Sequence, residues 1–327
     1  MLNWQSSPLT GIGFLGMVIG GVLILGLILG IVTYLIYFER KIIGWMQLRI
    51  GPNRVGPFGL MQSIADVLKL LIKEDIVPEN ADRSLFLLAP IIAFVPSFMV
   101  LALIPFTATH VFTSNTQVGL LLYLALSSIT ILGIVLGGWA SNNKYSLLGG
   151  MRSAAQMVSY EIPLGMSVIG VVLLTGSLNL NTIVVAQSRH IWYIIPQIVG
   201  FIIFMIAGLA ELNRTPFDLP EAESELVAGY FTEYSGFRFA FFMLTEYVYV
   251  FALCALATTL FLGGWSGPFL PSWIWFAIKT SACIFFIFWV RATMPRIRGD
   301  QLMGFAWKVL IPVALANLIV TAGVALL

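Results

Sequence analysis

The sequence is poor in charge, in histidine and in cysteine. Only 10% of its residues are Asp, Glu, Lys or Arg, where soluble globular chains carry roughly 25%. That shortage, with 59% hydrophobic residues and a mean hydropathy of +0.96, excludes a soluble domain and defines an integral membrane protein. A net charge of +2 leaves no basic stripe to replace the counter-ions of a nucleic acid, so that class of partner is set aside. A membrane haem usually needs axial His or Met ligands facing each other within a bundle, whereas both histidines lie outside the apolar runs, and two cysteines are too few for iron–sulfur ligation. His110 and His190 fall in connections, while Cys254 and Cys283 lie in separate apolar runs, where a thiol behaves as a small buried hydrophobe. No phosphate-binding glycine loop or nucleophile elbow precedes a helix. The chain is expected to carry no haem, iron–sulfur cluster, flavin or metal, so electrons for any redox role come from another subunit.

What is present is apolar length. Runs of about 20 residues, enough to cross the hydrocarbon core as helices, occur at 11–37, 84–104, 118–139, 157–175, 191–211, 237–262, 273–292 and 306–326. The expected fold is an all-α integral membrane protein, a single membrane domain over 1–327 with eight transmembrane helices. The first run has no Lys or Arg before it and exceeds a signal peptide's apolar stretch, so it is read as a retained helix. Its pairs Gly16 with Gly20 and Gly26 with Gly30 suit close helix contact.

Orientation follows the Lys and Arg bias of the connections. The first holds Arg40, Lys41, Arg49, Arg54, Lys69, Lys73 and Arg83; the third Lys144 and Arg152; the fifth Arg214 and Arg238; the seventh Arg291, Arg296 and Arg298. The opposite side holds only Arg189. Those odd-numbered connections are therefore expected on the cytoplasmic side of a cell inner membrane, with both termini outside. Within the first, Leu60, Ile64, Val67, Leu68, Leu71 and Ile72 recur at helical spacing while Asp66, Lys69 and Lys73 take the other face. This predicts an amphipathic helix over about 60–74, either interfacial or forming the lip of a lateral opening that admits an amphiphile towards Asp66 and Arg40.

Ionisable groups inside spans are costly and are functional candidates by default. Glu161 reads as about one turn into the fourth helix, Glu211 closes the fifth, and Glu246 stands about nine residues, or roughly 13 Å, into the sixth. Lys279 is similarly deep in the seventh, so one reading pairs Glu246 with Lys279 as buried glue. The other, favoured by the graded depth of the three carboxylates, is a proton relay, since desolvation favours the proton-carrying form of a carboxyl group.

The densest charge lies in "ELNRTPFDLPEAESELVAGYFTEYSG" at 211–236. Asp218, Pro220 and Glu221 read as a helix start, with Asp218 as N-cap and Glu221 at the capping-box position, and Glu221, Glu223 and Glu225 complement the helix dipole. Helix chemistry leaves Glu211 and Glu233 unexplained, and so close a cluster should retain some of its protons.

That segment, with "FERKIIGWMQLRIGPNRVGPFG", "SNNKYSLLGGMRSAAQMVSYEIPLG" and "RATMPRIRGDQLMGFAW", resembles the cytoplasmic-side signature regions of a membrane subunit of respiratory complex I, the bacterial H subunit and its mitochondrial counterpart. The likeness runs in order along nearly the whole chain. It implies a helical subunit at the heel of a proton-pumping NADH:quinone oxidoreductase, not active alone, with quinone as substrate. The implied partners are the peripheral-arm iron–sulfur and quinone-site subunits, and small and antiporter-like membrane subunits beside it. Position by position, it implies quinone access and chamber wall for Glu39, Arg40, Arg49, Asp66 and Lys69, and a basic segment at Arg291, Arg296 and Arg298. It likewise implies a proton path through Glu161, Glu211 and Glu246, with Glu221, Glu223 and Glu225 as the acidic loop before it. Gly299 departs from the bulkier residue many relatives carry. Two alternatives stay open: the equivalent subunit of a proton-translocating hydrogenase or formate-linked complex, and a stand-alone proton-coupled transporter, although no repeat between the two halves is visible.

Overall fold

The computed structural model describes residues 14–107, 116–220 and 226–326. Among them every regular element is helical and none is a strand. The chain divides into two compact units, Met1–Asp66 and Val67–Leu327.

In the first unit α1 covers Phe14–Met46, 33 residues. It runs well past the expected end at 37, so Glu39, Arg40 and Lys41 ride on its last turns and not in a loop. The two Gly-Pro pairs then fold the chain back: Arg49 N donates to Gly44 O at 2.8 Å and Tyr37 Oη to Phe58 O at 2.9 Å. Gly59 sits at φ +81° with Pro52 O only 2.2 Å from where a Cβ would stand, so this turn requires glycine. Gly26 and Gly30, expected at a close helix contact, have nothing within 4 Å of a would-be Cβ. The contact those glycines suggested is not made among the described residues. The boundary between the units falls inside α2, Gln62–Ile72.

The second unit holds α3 (Arg83–Leu101), α4 (Gly119–Ala140), α5 (Lys144–Thr175), α6 (Leu180–Arg189), α7 (Ile198–Glu211), α8 (Gly236–Phe261), α9 (Ser272–Thr293) and α10 (Gly299–Leu326). Of these, α3, α4, α5, α8, α9 and α10 are long and apolar enough to cross a membrane. α7 has 14 residues, because 191–197, expected as the start of its span, is irregular. α6 was not expected at all. It follows from Asn179, whose side chain caps it by accepting from Asn181 N and Thr182 N.

The largest difference concerns α5. Asn143 Oδ1 accepts from Tyr145 N at 2.9 Å, starting the helix at Lys144, and Gly176 ends it in the left-handed region at φ +66°. Lys144 and Arg152 are therefore helical, and Glu161 lies mid-helix where one turn of depth was expected. α4 packs on α3 and α5, α5 also packs on α7 and α10, and α8 packs on α3 and α9. Gly133 brings α4 so near α3 that a Cβ would stand 2.6 Å from Ala93 N. Phe86, Ala93, Ile134, Tyr230, Tyr234 and Phe242 form the core at this level. Tyr234, ahead of α8, stacks on Phe86 with ring centroids 4.1 Å apart, and burial pushes its phenol above the ordinary range.

Candidate functional site

Glu161 and Glu211 face adjacent serines of one turn of α4. Ser127 and Ser128 both direct their hydroxyls at Leu124 O, 2.9 Å away in each case, which is how a serine is accommodated in an apolar helix. Ser128 Oγ also lies against Glu161 Oε1, while Ser127 lines the same cavity as Glu211. Neighbouring residues of one helix thus face carboxylates from α5 and α7.

Glu246, the third carboxylate, points the same way from α8 but is paired. Arg214 Nε lies 2.7 Å from its Oε1, with side-chain exposures of 1% and 18%. The guanidinium also covers the Tyr247 ring at 4.3 Å. Arg214 reaches there because the chain turns immediately after α7, where Asn213 takes a left-handed conformation at φ 52°. Gln156 on α5 clamps this turn, donating to Ala210 O at 2.7 Å and Phe217 O at 2.6 Å. Between the carboxylates is a cavity of about 50 Å³ lined by Ser127, Thr130, Glu211, Asn213, Glu246 and Tyr249. That is room for about three water molecules by volume, and most of the remaining lining is apolar, with Ile134, Leu212, Phe242 and Leu253 among it.

Lys279 does not pair with Glu246. Its ammonium donates to the carbonyls of Leu262, Gly264 and Ser266. Glu233, unexplained by helix chemistry, accepts from Asn143 Nδ2 at 2.6 Å and so steadies the residue that caps α5. Glu221, Glu223 and Glu225, the proposed capping role of Glu221, and His110 lie outside the described residues. Cys254 and Cys283 are buried and free.

Of the residues assigned to quinone access, Arg40 Nη1 and Asp66 Oδ2 meet at 2.6 Å, with Gln62 Nε2 on the other Asp66 oxygen at 3.1 Å. Arg49 Nε donates to Gln47 Oε1 at 2.7 Å, Glu39 is buried and Lys69 is exposed. Arg291 stands on the last turn of α9. Arg296 and Arg298 line an open recess of about 550 Å³ with Arg152, Leu219, Gly299 and Asp300. A Cβ on Gly299 would meet Leu219 at an ordinary 3.4 Å, so glycine keeps this recess wide without being required by the backbone.

The sequence reading missed Ser127 and Ser128 and used Arg214 only for orientation. A usable signal existed: "LSSIT" sets three hydroxyls inside a run that is otherwise apolar.

Long apolar helices around half-buried carboxylates, with Arg214 and Lys279 buried among them, make this a multi-pass helical membrane protein that holds ionisable groups between its helices. The family model for NADH dehydrogenase matches residues 19–322. The chain is 64% identical over 310 residues to the H subunit of the NADH-quinone oxidoreductase of Brevibacillus brevis, covering 93% of this chain and 92% of the relative. It is 65% identical over 306 residues to proteins of the same name from Bacillus cytotoxicus and Bacillus mycoides, covering 92% of this chain and 91% of each. The chain belongs to the NADH dehydrogenase family, in the branch made up of these H subunits.

Proposed function

We propose that this chain serves as the H subunit of a proton-translocating NADH-quinone oxidoreductase, forming part of the quinone site and starting the proton path. The observation that carries the reading is the pair of adjacent serines on α4, Ser128 against Glu161 and Ser127 in the lining of the cavity shared by Glu211 and Glu246. A hydroxyl between a carbonyl and a carboxyl group serves both protonation states. When the carboxylate is charged the hydroxyl donates to it; when the acid is protonated the hydroxyl accepts a hydrogen bond from the acid O–H and donates its own to Leu124 O. The contact therefore survives each proton transfer, as a relay requires. Arg214 fixes the position of the Glu246 carboxylate at the far side of this cavity.

In this reading the peripheral-arm subunits bring electrons on iron–sulfur clusters to a quinone held by Glu39, Arg40, Arg49, Asp66 and Lys69 and by the basic segment Arg291, Arg296 and Arg298. Reduction makes the quinone a proton acceptor. Its charge shifts protons on the acidic loop of Glu221, Glu223 and Glu225, then on Glu161, Glu211 and Glu246, and the change passes to the neighbouring antiporter-like subunits. The protein is a single membrane domain of eight crossings in the cell inner membrane, with α1 and α7 supplying the two crossings beyond the six long apolar helices. α2 lies at the cytoplasmic interface as an amphipathic helix at the quinone opening, and both termini lie outside. The experiment is Glu161→Gln and Glu211→Gln in the assembled complex. Quinone reduction and proton pumping should both fall while assembly is kept; normal pumping in both variants would sink the relay.

A further inference from the structure

Lys279 has no part in the proposed path, yet it is one of the most buried charges in the molecule, at 6% exposure. Its three N–H groups find three backbone carbonyls, Leu262 O at 2.6 Å, Gly264 O at 3.1 Å and Ser266 O at 2.6 Å. The Trp192 and Trp275 rings lie 4.3 and 5.7 Å from Nζ. Among the described residues no carboxylate stands within ion-pair distance of it. Carbonyl oxygens and aromatic faces without an anion are the surroundings of a bound monovalent cation.

The position of this nest gives it meaning. Leu262 ends α8, so the nest collects the negative end of the dipole of the helix that carries Glu246. Along α8 the nest and Glu246 are sixteen residues, about 24 Å, apart. From Ala252 to Phe261, between cavity and nest, every α8 residue is buried. On the other flank an open pocket of about 400 Å³, lined by Gln187, His190, Trp192, Trp265 and Ser266, shares Trp192 and Ser266 with the nest. The ammonium thus stands between an open pocket and the dry half of a carboxylate-bearing helix.

We propose that Lys279 is the tethered occupant of a monovalent-cation site, and that by filling it the side chain closes this end of α8 to protons. An empty nest would attract hydronium; an ammonium already bound there repels it and supplies no site for it. The charge makes the carboxylate array open at one end only. The inference rests on the proposed relay in one respect, that protons move on and off the carboxylates at the far end of the helix.

The test is Lys279→Gln in the assembled complex, reconstituted in liposomes and read as passive proton influx under a potassium-diffusion potential without NADH. Gln can still donate to the carbonyls but brings no charge. Its leak should rise on the order of tenfold over wild type, a modest share of what one unit charge supplies at contact distance in a protein interior. Millimolar guanidinium on both sides, a permanently charged N–H donor, should suppress the leak by refilling the nest, and Lys279→Arg should stay near wild type. A wild-type leak in the Gln variant, or a leak indifferent to guanidinium, overturns the proposal. Should the Gln variant not assemble, Lys279→His decides: its leak should rise between about pH 6 and pH 8 as the ring loses its charge, and a flat profile counts against the seal. Normal pumping in the Glu161 and Glu211 variants would remove the relay and leave the leak measurement standing.

Discussion

Two arginine–carboxylate pairs of nearly equal length sit in opposite surroundings. Arg40 and Asp66 meet at 2.6 Å with side chains 48% and 28% exposed, whereas Arg214 and Glu246 meet at 2.7 Å with exposures of 1% and 18%. Distance alone would rank them equal. Surroundings separate them, because exposed charges are screened and rehydrate when parted, while a buried arginine deprived of its anion has nowhere to put its charge. The first pair can therefore open and close at little cost, as suits residues proposed to meet a passing quinone. The second is a fixed element of the turn after α7.

The comparison can be broken at its strong end first. Arg214→Met should cost about 3–5 kcal/mol by removing the buried guanidinium that meets Glu246, read as a lowered unfolding midpoint in detergent or failed assembly. If it costs no more than a surface change, burial does not decide the strength of these pairs. An intermediate effect is expected for Ser128→Ala, which removes the hydroxyl from Glu161 and should cost about 1 kcal/mol. Its diagnostic readout is a larger loss of proton pumping than of stability; equal small losses would make Ser128 a packing residue only. The smallest effect belongs to Asp66→Asn, below about 1 kcal/mol in stability and diminishing further in high salt. A cost matching that of Arg214→Met would show that Asp66 is shielded in the working complex in a way its exposure in this chain does not convey.

Among the described residues of the densely charged stretch at 211–236, the charged groups take separate roles. Glu211 lines the cavity after α7, Glu233 steadies the cap of α5, and Arg214 crosses to Glu246. The buried Gln156 holds the turn from which Arg214 departs, so its loss should misplace the ion pair as well as the end of α7.

From the sequence by itself came the helical membrane class, the long apolar runs, the carboxylates within them and the signature segments of the family. These are legible because a membrane span must be long and apolar and must satisfy its own backbone, so composition along the chain suffices. Boundaries set by single side chains were harder: Asn143 begins α5 well before its apolar run, and α1 continues through Arg40 because nothing there breaks a helix. Which charge meets which was decided only by the tertiary structure. A helix apolar on all sides, such as α4, carries no pattern saying which neighbour its Ser127 and Ser128 will face. The less favoured reading of the sequence paired Lys279 with Glu246, because opposite charges in adjacent spans invite pairing. The packing of α8 against α9 sends the lysine to the carbonyls that end α8, and leaves Glu246 to an arginine from the turn after α7.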